Sequence, residues 1–174
     1  MKIKTTVVGT LKENCYILTQ NDETIIIDPG DEPDNIINNI TGKVLGIIIT
    51  HYHFDHIGAL EELKTKYKVP IIDYKNIGSN QLGSFNFEIL ETKGHTKDSV
   101  TIYFKDEKTM FCGDFIFKNS IGRTDLPTGS NEEMKRSLKN IVNYDHNITL
   151  YPGHYNKTLL ANEIDNINYY IERL

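Results

Sequence analysis

The sequence predicts a mixed α/β fold with β-sheets at the centre and helices on the outside. Nine short runs rich in β-branched residues are typical of strands, and four segments carry apolar residues at helical spacing. The runs Ile25–Ile27 and Ile47–Ile49 are apolar on both faces, as strands covered on both sides must be. Because helices are interleaved with strand pairs along the chain, a layered arrangement is favoured.

The predicted strands are short runs bounded by turn-forming residues. They lie at residues 3–8, 15–19, 24–27, 44–50, 69–72, 86–92, 99–104, 109–112 and 148–151. No linker, low-complexity segment or fixed-period repeat interrupts this series. We therefore expect one domain over residues 1–174.

The four predicted helices follow the spacing of their apolar residues. They are 33–40, 57–67, a segment that begins after Ser130, and about 158–174. Pro33 suits the first turn of a helix, and Ser130 with Glu133 fits a capping box. In the last helix the apolar residues recur every three or four positions, which predicts a buried stripe.

Composition narrows the class of protein. A chain of 174 residues can bury a sufficient core without a disulfide or a metal ion. With 39% hydrophobic and 25% charged residues it is too apolar to be disordered. Its 19 Lys and Arg against 24 Asp and Glu argue against a partner held mainly by phosphate contacts, so no nucleic acid is expected.

The termini and cysteines indicate the compartment. Residues 1–9 carry no long apolar segment and do not resemble a signal peptide. The longest apolar runs are strand-sized, so no membrane association is expected. Cys15 and Cys112 are predicted to be reduced, buried thiols. These features predict a cytoplasmic protein.

The stretch from Thr50 to Gly58 carries most of the chemical information. In an extended loop the side chains of His51, His53 and Asp55 would point the same way. His56 then falls where the predicted helix 57–67 begins. Four side chains able to bind metal thus occur within six residues, between a strand and a helix.

Three further candidates follow other predicted strands. His95, Asp114 and His154 each come after a Gly that permits a sharp turn at a strand end. Ligands gather at strand ends in layered α/β folds. Asp28 repeats the pattern, either as a turn former that caps its own backbone or as a residue that orients a metal ligand. His146 is interpreted as an exposed loop histidine.

The number of candidates predicts the chemistry. Five His and two Asp are too many for one ion, which needs three or four protein ligands, and suit two ions that share a carboxylate. Imidazole and carboxylate without thiolate favour zinc, iron or manganese. Two adjacent ions can supply a hydroxide at neutral pH and stabilise an oxygen that gains charge. The residues therefore predict metal-assisted hydrolysis.

The motif T-H-x-H-x-D-H, with the later G-H-T, G-D and P-G-H, resembles the metallo-β-lactamase superfamily. The similarity runs from Asp28 to His154, nearly the whole chain. It implies a four-layer αββα sandwich with a two-metal site along one edge of the sheets. Asp55-His56 and residues 121–127 (IGRTDLP) most resemble the short bacterial glyoxalase II-like, or hydroxyacylglutathione hydrolase-like, enzymes.

The resemblance also implies roles for single residues. One metal would be held by His51, His53 and His95, a second by Asp55, His56 and His154, and Asp114 would bridge the two. Asp55 and Asp114 would be the catalytic carboxylates. The expected cofactors are two divalent ions, zinc first and iron or manganese as alternatives. The implied reaction is hydrolysis of S-(2-hydroxyacyl) thioesters, such as S-lactoylglutathione or another low-molecular-weight thiol conjugate, by a hydroxide that bridges the metals.

Two departures from this family bear on the substrate. Only 20 residues follow His154, so we expect no C-terminal helical domain of the kind that grips glutathione. Lys97-Asp98 stands where the family often has Pro-Gly. Arg123 and Tyr155 are the expected substrate contacts; Arg123 could hold a carboxylate bidentately or be a surface residue.

Several alternatives stay open on the sequence alone. A persulfide dioxygenase-like mono-iron enzyme, a lactonase or a phosphodiesterase could use the same ligands. A metal-binding regulatory protein is the alternative outside the enzymes. The sequence does not indicate an oligomeric state.

Overall fold

A computed structural model describes all residues from Met1 to Leu174 and contains two large β-sheets. The first has five strands in chain order: β1 (Lys2–Val8), β2 (Glu13–Gln20), β3 (Glu23–Ile27), β4 (Lys43–Ile48) and β5 (Ile71–Ile72). The remaining strands are β6 (Gly78–Leu82), β7 (Phe85–Glu91), β8 (Val100–Phe104), β9 (Thr109–Gly113), β10 (Ile116–Phe117), β11 (Ser120–Ile121), β12 (Thr149–Pro152) and β13 (Thr158–Leu159). The second sheet has the order β13-β12-β9-β8-β7-β6, and β10 and β11 form a separate hairpin.

Five α-helices cover the outer faces of the sheets. They are α1 (Pro33–Ile37), α2 (Phe54–Ile57), α3 (Leu60–Tyr67), α4 (Asn131–Ile141) and α5 (Leu160–Arg173). The first three helices lie on the side of the first sheet, where Ile36 and Leu63 pack against residues such as Ile47. The last two lie on the second sheet, where Leu138 and Ile167 join one apolar cluster.

The core between the sheets completes a four-layer sandwich. Thirteen buried residues from both sheets form one cluster, with β2, β3 and β4 on one side and β7, β8 and β9 on the other. Phe111 of β9 contacts Tyr16 of β2 across this layer, with ring centroids 5.0 Å apart. The predicted αββα arrangement is therefore confirmed.

The direction of the strands brings several loops to one edge. β3 runs parallel to β4, and β9 runs parallel to β12. β7 and β9 also run in the same direction, because each is antiparallel to β8 between them. The carboxyl ends of parallel strands meet at the same edge of a sheet. The residues that follow these strands are therefore neighbours in space.

The helix predictions were right in kind and less accurate at the boundaries. Pro33 begins α1 as expected, but this helix ends at Ile37 and not at residue 40. The single helix predicted over 57–67 was wrong: two helices, α2 and α3, are separated at Gly58 and Ala59. The last helix begins at Leu160, because residues 158–159 pair with β12.

The capping box predicted at Ser130 is only half formed. Ser130 accepts a hydrogen bond from the Glu133 backbone N–H at 3.3 Å, but the Ser130 N–H donates to the Gly94 carbonyl oxygen at 2.9 Å and the Glu133 side chain pairs with Arg136. Cys15 and Cys112 are free and buried. No helix is both long enough and apolar enough to cross a bilayer.

The aromatic core predicts a large difference between two phenylalanines. Phe111 is fully buried and contacts the rings of Tyr16, Phe104 and Tyr151, whereas Phe54 is 73% exposed. We expect Phe111→Ala to lower the free energy of unfolding by about 3–5 kcal/mol, because it leaves a cavity between the sheets. Phe54→Ala should change it by less than about 0.5 kcal/mol. Urea denaturation of both variants checks this, and equal losses would contradict the sandwich core.

Candidate metal centre

Three histidine side chains converge at one edge of the sandwich. His51 follows β4, His53 follows in the same extended segment, and His95 lies beyond the end of β7. His53 Nδ1 lies 3.1 Å from His51 Nε2 and 2.9 Å from His95 Nε2. Three nitrogens bound to one tetrahedral zinc ion would be separated by about 3.3 Å, given zinc–nitrogen distances near 2.0–2.1 Å. We call these residues the His51 group.

Hydrogen bonds on the far sides of the rings indicate which nitrogens face the site without a proton. Thr50 Oγ1 donates to Asp28 Oδ2 at 2.6 Å, so it can only accept from His51 Nδ1, 3.1 Å away. His95 Nδ1 donates to the carbonyl oxygen of Arg123 at 2.8 Å. In the neutral rings both Nε2 atoms then carry a lone pair directed at the site, as metal ligation requires.

A second set of side chains lies beside the first. His154 follows β12, and its Nε2 atom lies 3.3 Å from Asp55 Oδ2. His56 Nε2 lies 3.9 Å from the same oxygen. Asp55, His56 and His154 bring their ligand atoms within 4.8 Å of one another, and we call them the His154 group.

Asp114 lies between the two groups and contacts both. Its Oδ2 atom is 3.5 Å from His95 Nε2 and 3.6 Å from His154 Nε2. Its Oδ1 atom is 3.4 Å from His56 Nε2. A carboxylate in this position lies within reach of both groups, which is the place that the family resemblance implies for a shared ligand.

The local conformation of Asp55 differs from the prediction. His53 has extended backbone angles, so His51 and His53 do point together. Residues 54–57 form α2, and this turn directs the Asp55 side chain to His154 and away from the His51 group. The expectation that Asp55 shares the direction of His51 and His53 was therefore wrong.

Burial and charge set the protonation of these groups. Burial, with the neighbouring His56 and His95, holds the pKa of His51 well below its usual value. Burial alone would raise the pKa of Asp114, but contact with His56 and the charges of His154 and His95 outweigh this and lower it. Burial would likewise lower the pKa of His56, yet its contacts with Asp114 and Asp28 raise it well above the usual value.

Unpaired polar atoms and a glycine indicate that the centre is built for a cation. His56 Nε2 and Asp114 Oδ1 are buried and make no hydrogen bond. Such groups normally have a partner, because burying them alone is costly. A Cβ atom at Gly153 would come within 2.4 Å of Asp114 Oδ1 and 2.5 Å of His56 Cε1. Glycine keeps this side of the centre open, and the donor set fits two divalent ions.

Asp28 orients ligands and does not cap its own turn. Its Oδ1 atom accepts from the Thr50 backbone N–H at 2.7 Å, and its Oδ2 atom accepts from Thr50 Oγ1 at 2.6 Å. Its Oδ2 atom also lies 3.0 Å from His56 Nδ1, which directs His56 Nε2 to the centre. The sequence left two roles open for Asp28, a cap on its own turn or a contact that orients a candidate ligand, and the structure contains the second.

The two expected substrate contacts lie near the centre but not in it. The Arg123 guanidinium forms a bidentate pair with Asp125, with both distances 2.7 Å, and holds the pKa of Asp125 at about 2. Its backbone carbonyl contacts His95. Tyr155 is 75% exposed and packs its ring against Phe117, with centroids 5.6 Å apart. His146 is exposed, as expected.

Sequence reasoning missed three polar residues on β2 that support the centre. Asn14 Nδ2 donates to the carbonyl oxygens of Pro152 and Tyr155 at 3.0 and 2.9 Å, and Tyr16 Oη donates to Pro152 at 2.5 Å. These bonds hold the loop that carries His154. Glu13 is buried with both oxygens unpaired, 3.9 Å from His56 Nδ1, and burial raises its pKa. The only feature of the sequence that could have indicated these residues is the polar pair Glu13-Asn14 at the start of the apolar run of β2.

Comparisons with known proteins identify the family. A family model described as the metallo-beta-lactamase superfamily matches residues 8–85 and 75–154. The chain is 32% identical to the probable metallo-hydrolase YqgX of Bacillus subtilis, over 95% of each chain. It is 29% identical to the hydroxyacylglutathione hydrolase GloC of Haemophilus influenzae, over 94% of this chain and 95% of that protein.

Solved structures give the same result for the fold. The BLEG-1 B3 metallo-beta-lactamase superposes with a TM-score of 0.91 at 27% identity, covering 97% of this chain and 99% of that chain. TTHA1623 in a di-iron-bound form superposes with a TM-score of 0.81 at 27% identity, covering 92% and 96%. From the αββα sandwich, the paired His and Asp groups at its edge and these matches, we conclude that the chain belongs to the metallo-beta-lactamase superfamily of metal-dependent hydrolases.

Proposed function

We propose that this protein is a thioester hydrolase that cleaves S-(2-hydroxyacyl) conjugates of a low-molecular-weight thiol. The observation that carries the proposal is the placement of Asp114 between two complete ligand groups, within 3.6 Å of His56, His95 and His154. The similarity to the hydroxyacylglutathione hydrolase GloC over nearly the whole chain supports the substrate class.

The proposed ligands are the seven side chains of the centre. His51, His53 and His95 would hold one divalent ion, Asp55, His56 and His154 would hold the other, and Asp114 lies within reach of both groups. Zinc is the proposed metal, and iron is the alternative that the di-iron form of TTHA1623 supports. Ions bound there would supply Lewis-acid chemistry that activates water and polarises a carbonyl group at neutral pH.

The chain's own residues position the reacting groups. The pKa of Asp55 is lowered: burial opposes this, but the contacts with His154 and His56 outweigh it, so the carboxylate is ionised and can orient the attacking oxygen. The leaving thiol has a pKa near 8.5 and departs as thiolate without a strong general acid. Arg123 and Tyr155, which flank His95 and His154, are proposed to contact the substrate.

A substrate panel tests the proposed reaction. We expect the metal-loaded protein to hydrolyse S-lactoyl thioesters at least about 100-fold faster, by kcat/KM, than lactones or phosphodiesters. The physical reason is that thiolate is the best leaving group of the three classes in a site without a spare general acid. Metal content is measured on the same sample, and oxygen uptake with a thiol persulfide is followed in parallel. Turnover of another class with every thioester intact would contradict the proposal.

Replacing Asp114 tests whether the two groups act together. Asp114→Ala removes the one carboxylate that contacts both, and we expect kcat to fall on the order of 10³-fold. Asp145→Ala is the matched control, because Asp145 is an exposed carboxylate whose partner, Lys108, precedes β9 at its opposite end. Circular dichroism verifies that both variants fold. Unchanged turnover in Asp114→Ala would rule out the proposed role.

Removing the Asn14 amide tests how the His154 group is held. Asn14→Ala deletes two hydrogen bonds to the loop that carries His154, so we expect affinity for one of the two ions to fall about 10–100-fold. Asn80→Ala is the control, since Asn80 Nδ2 also donates to two backbone carbonyls, those of Asn76 and Gly78, outside the ligand loops. Chelator competition measures both affinities. Equal weakening of both ions would contradict a specific effect on His154.

A further inference from the structure

A large groove begins beside His53. It has a volume of about 1090 Å³, and residues from four segments line it: 52–53, 74–75 with 77, 91 with 93–94 and 96–100, and 126–128 with 130 and 133. Of the proposed metal ligands, only His53 borders it. The groove is therefore an extension of the centre on the side of the His51 group.

The volume of this groove is far greater than a hydroxyacyl group needs. Sites for drug-sized ligands measure about 300–1,000 Å³, whereas a lactoyl group has only a few non-hydrogen atoms. A second groove beside His154 has about half the volume, near 540 Å³. The groove beside His53 thus has room for the larger half of a thioester, the thiol carrier.

Tyr52 gives the groove a preformed aromatic wall. Its backbone N–H donates to Asp98 Oδ2 at 3.0 Å, and its hydroxyl donates to Asp73 Oδ2 at 2.6 Å. Its ring packs edge-to-face on Tyr74, with centroids 6.2 Å apart. Because backbone, hydroxyl and ring are all held, this wall loses little conformational freedom when a ligand binds.

Three lysines and three carboxylates line the groove, and they differ in how they are paired. Glu91 pairs with Lys93 at 2.7 Å and Glu133 pairs with Arg136, whereas Asp98 keeps its charge and accepts from the Tyr52 backbone N–H. The exposed Lys75 and Lys97 form no ion pair; Lys75 Nζ lies 5.4 Å from the centre of the Tyr74 ring. Two cations are therefore free to meet negative groups of a ligand.

We propose that this groove binds the carrier half of the thioester and that Lys75 and Lys97 select a carrier with anionic groups. The inference rests on the proposed thioesterase function and adds a subsite and the residues that determine its specificity. The acyl group lies at the metal centre, the carrier chain lies along Tyr52 and Tyr74, and carboxylate or phosphate groups pair with the two lysines.

The test compares carriers that share one acyl group. S-lactoyl thioesters of glutathione, coenzyme A and N-acetylcysteamine present carboxylates, phosphates and no charge, respectively. For each protein we measure the ratio of kcat/KM for an anionic carrier to kcat/KM for the neutral one. In Lys75→Gln/Lys97→Gln this ratio should fall about tenfold, as expected for the loss of two partly exposed ion pairs, and the change should lie in KM.

Lys12 and Lys157 provide a matched control, because both line the smaller groove beside His154. Lys12→Gln/Lys157→Gln removes the same charge and should leave the ratio within about twofold of the unmodified protein. A fall for glutathione alone supports a carboxylate ligand, a fall for coenzyme A alone supports a phosphate ligand, and a fall for both supports general anion recognition.

Two results would overturn the inference while the proposed function stands. One is an unchanged ratio in Lys75→Gln/Lys97→Gln; the other is a fall in the Lys12→Gln/Lys157→Gln control instead. If the unmodified protein hydrolyses the neutral thioester, the proposed thioesterase function stands whatever the two lysines do. If no thioester is hydrolysed, both the function and this inference are wrong.

Discussion

The Asp28 carboxylate is the contact on which the rest of the centre depends. It accepts from both the backbone N–H and the hydroxyl of Thr50, and it lies 3.0 Å from His56 Nδ1. Through Thr50 it determines the tautomer of His51, and directly it determines that of His56. One buried carboxylate at the end of β3 therefore orients a histidine in each of the two ligand groups. Its backbone has a φ of 49°, a left-handed conformation that few side chains adopt, so the turn keeps a strained residue where the carboxylate is needed.

Close approach of the strand ends is the second requirement, and glycine provides it. Gly113 has a φ of 48°, and a Cβ atom there would lie 2.4 Å from Thr50 Oγ1. A larger residue would displace either Asp114 or the hydroxyl that orients His51. Because β9 belongs to the second sheet and Thr50 follows a strand of the first, this contact sets the distance between the two sheets at the edge where the ligands meet.

The residues predicted a layered α/β fold with the candidate ligands at strand ends, and the family resemblance implied the αββα sandwich. The structure places all seven candidates at one edge, where the strand ends of both sheets meet. The sequence did not predict the residues that hold these ligands in place. Asn14 and Glu13 lie on a different strand from any ligand, and alternation along β2 would place one of two adjacent residues away from the site.

The break between α2 and α3 could not be predicted either, because it depends on a tertiary contact. Gly58 approaches the backbone of Gly30 so closely that a Cβ atom there would lie 2.2 Å from the Gly30 carbonyl oxygen, and such a tertiary contact has no periodic signal.

The five histidines of the centre divide into a buried, hydrogen-bonded set, called the floor, and a partly buried set, called the rim. His51, His56 and His95 are buried, and each has its Nδ1 atom held by a hydrogen bond away from the centre. His53 and His154 are only partly buried and have no such bond. The floor would therefore fix the positions of bound ions, and the rim could adapt to coordination number and to substrate. The floor supplies two histidines to one proposed ion and one to the other, so the ion beside His154 depends more on its loop. β2 supplies the rigidity that this loop lacks, because Asn14 and Tyr16 donate to the backbone carbonyls of Pro152 and Tyr155.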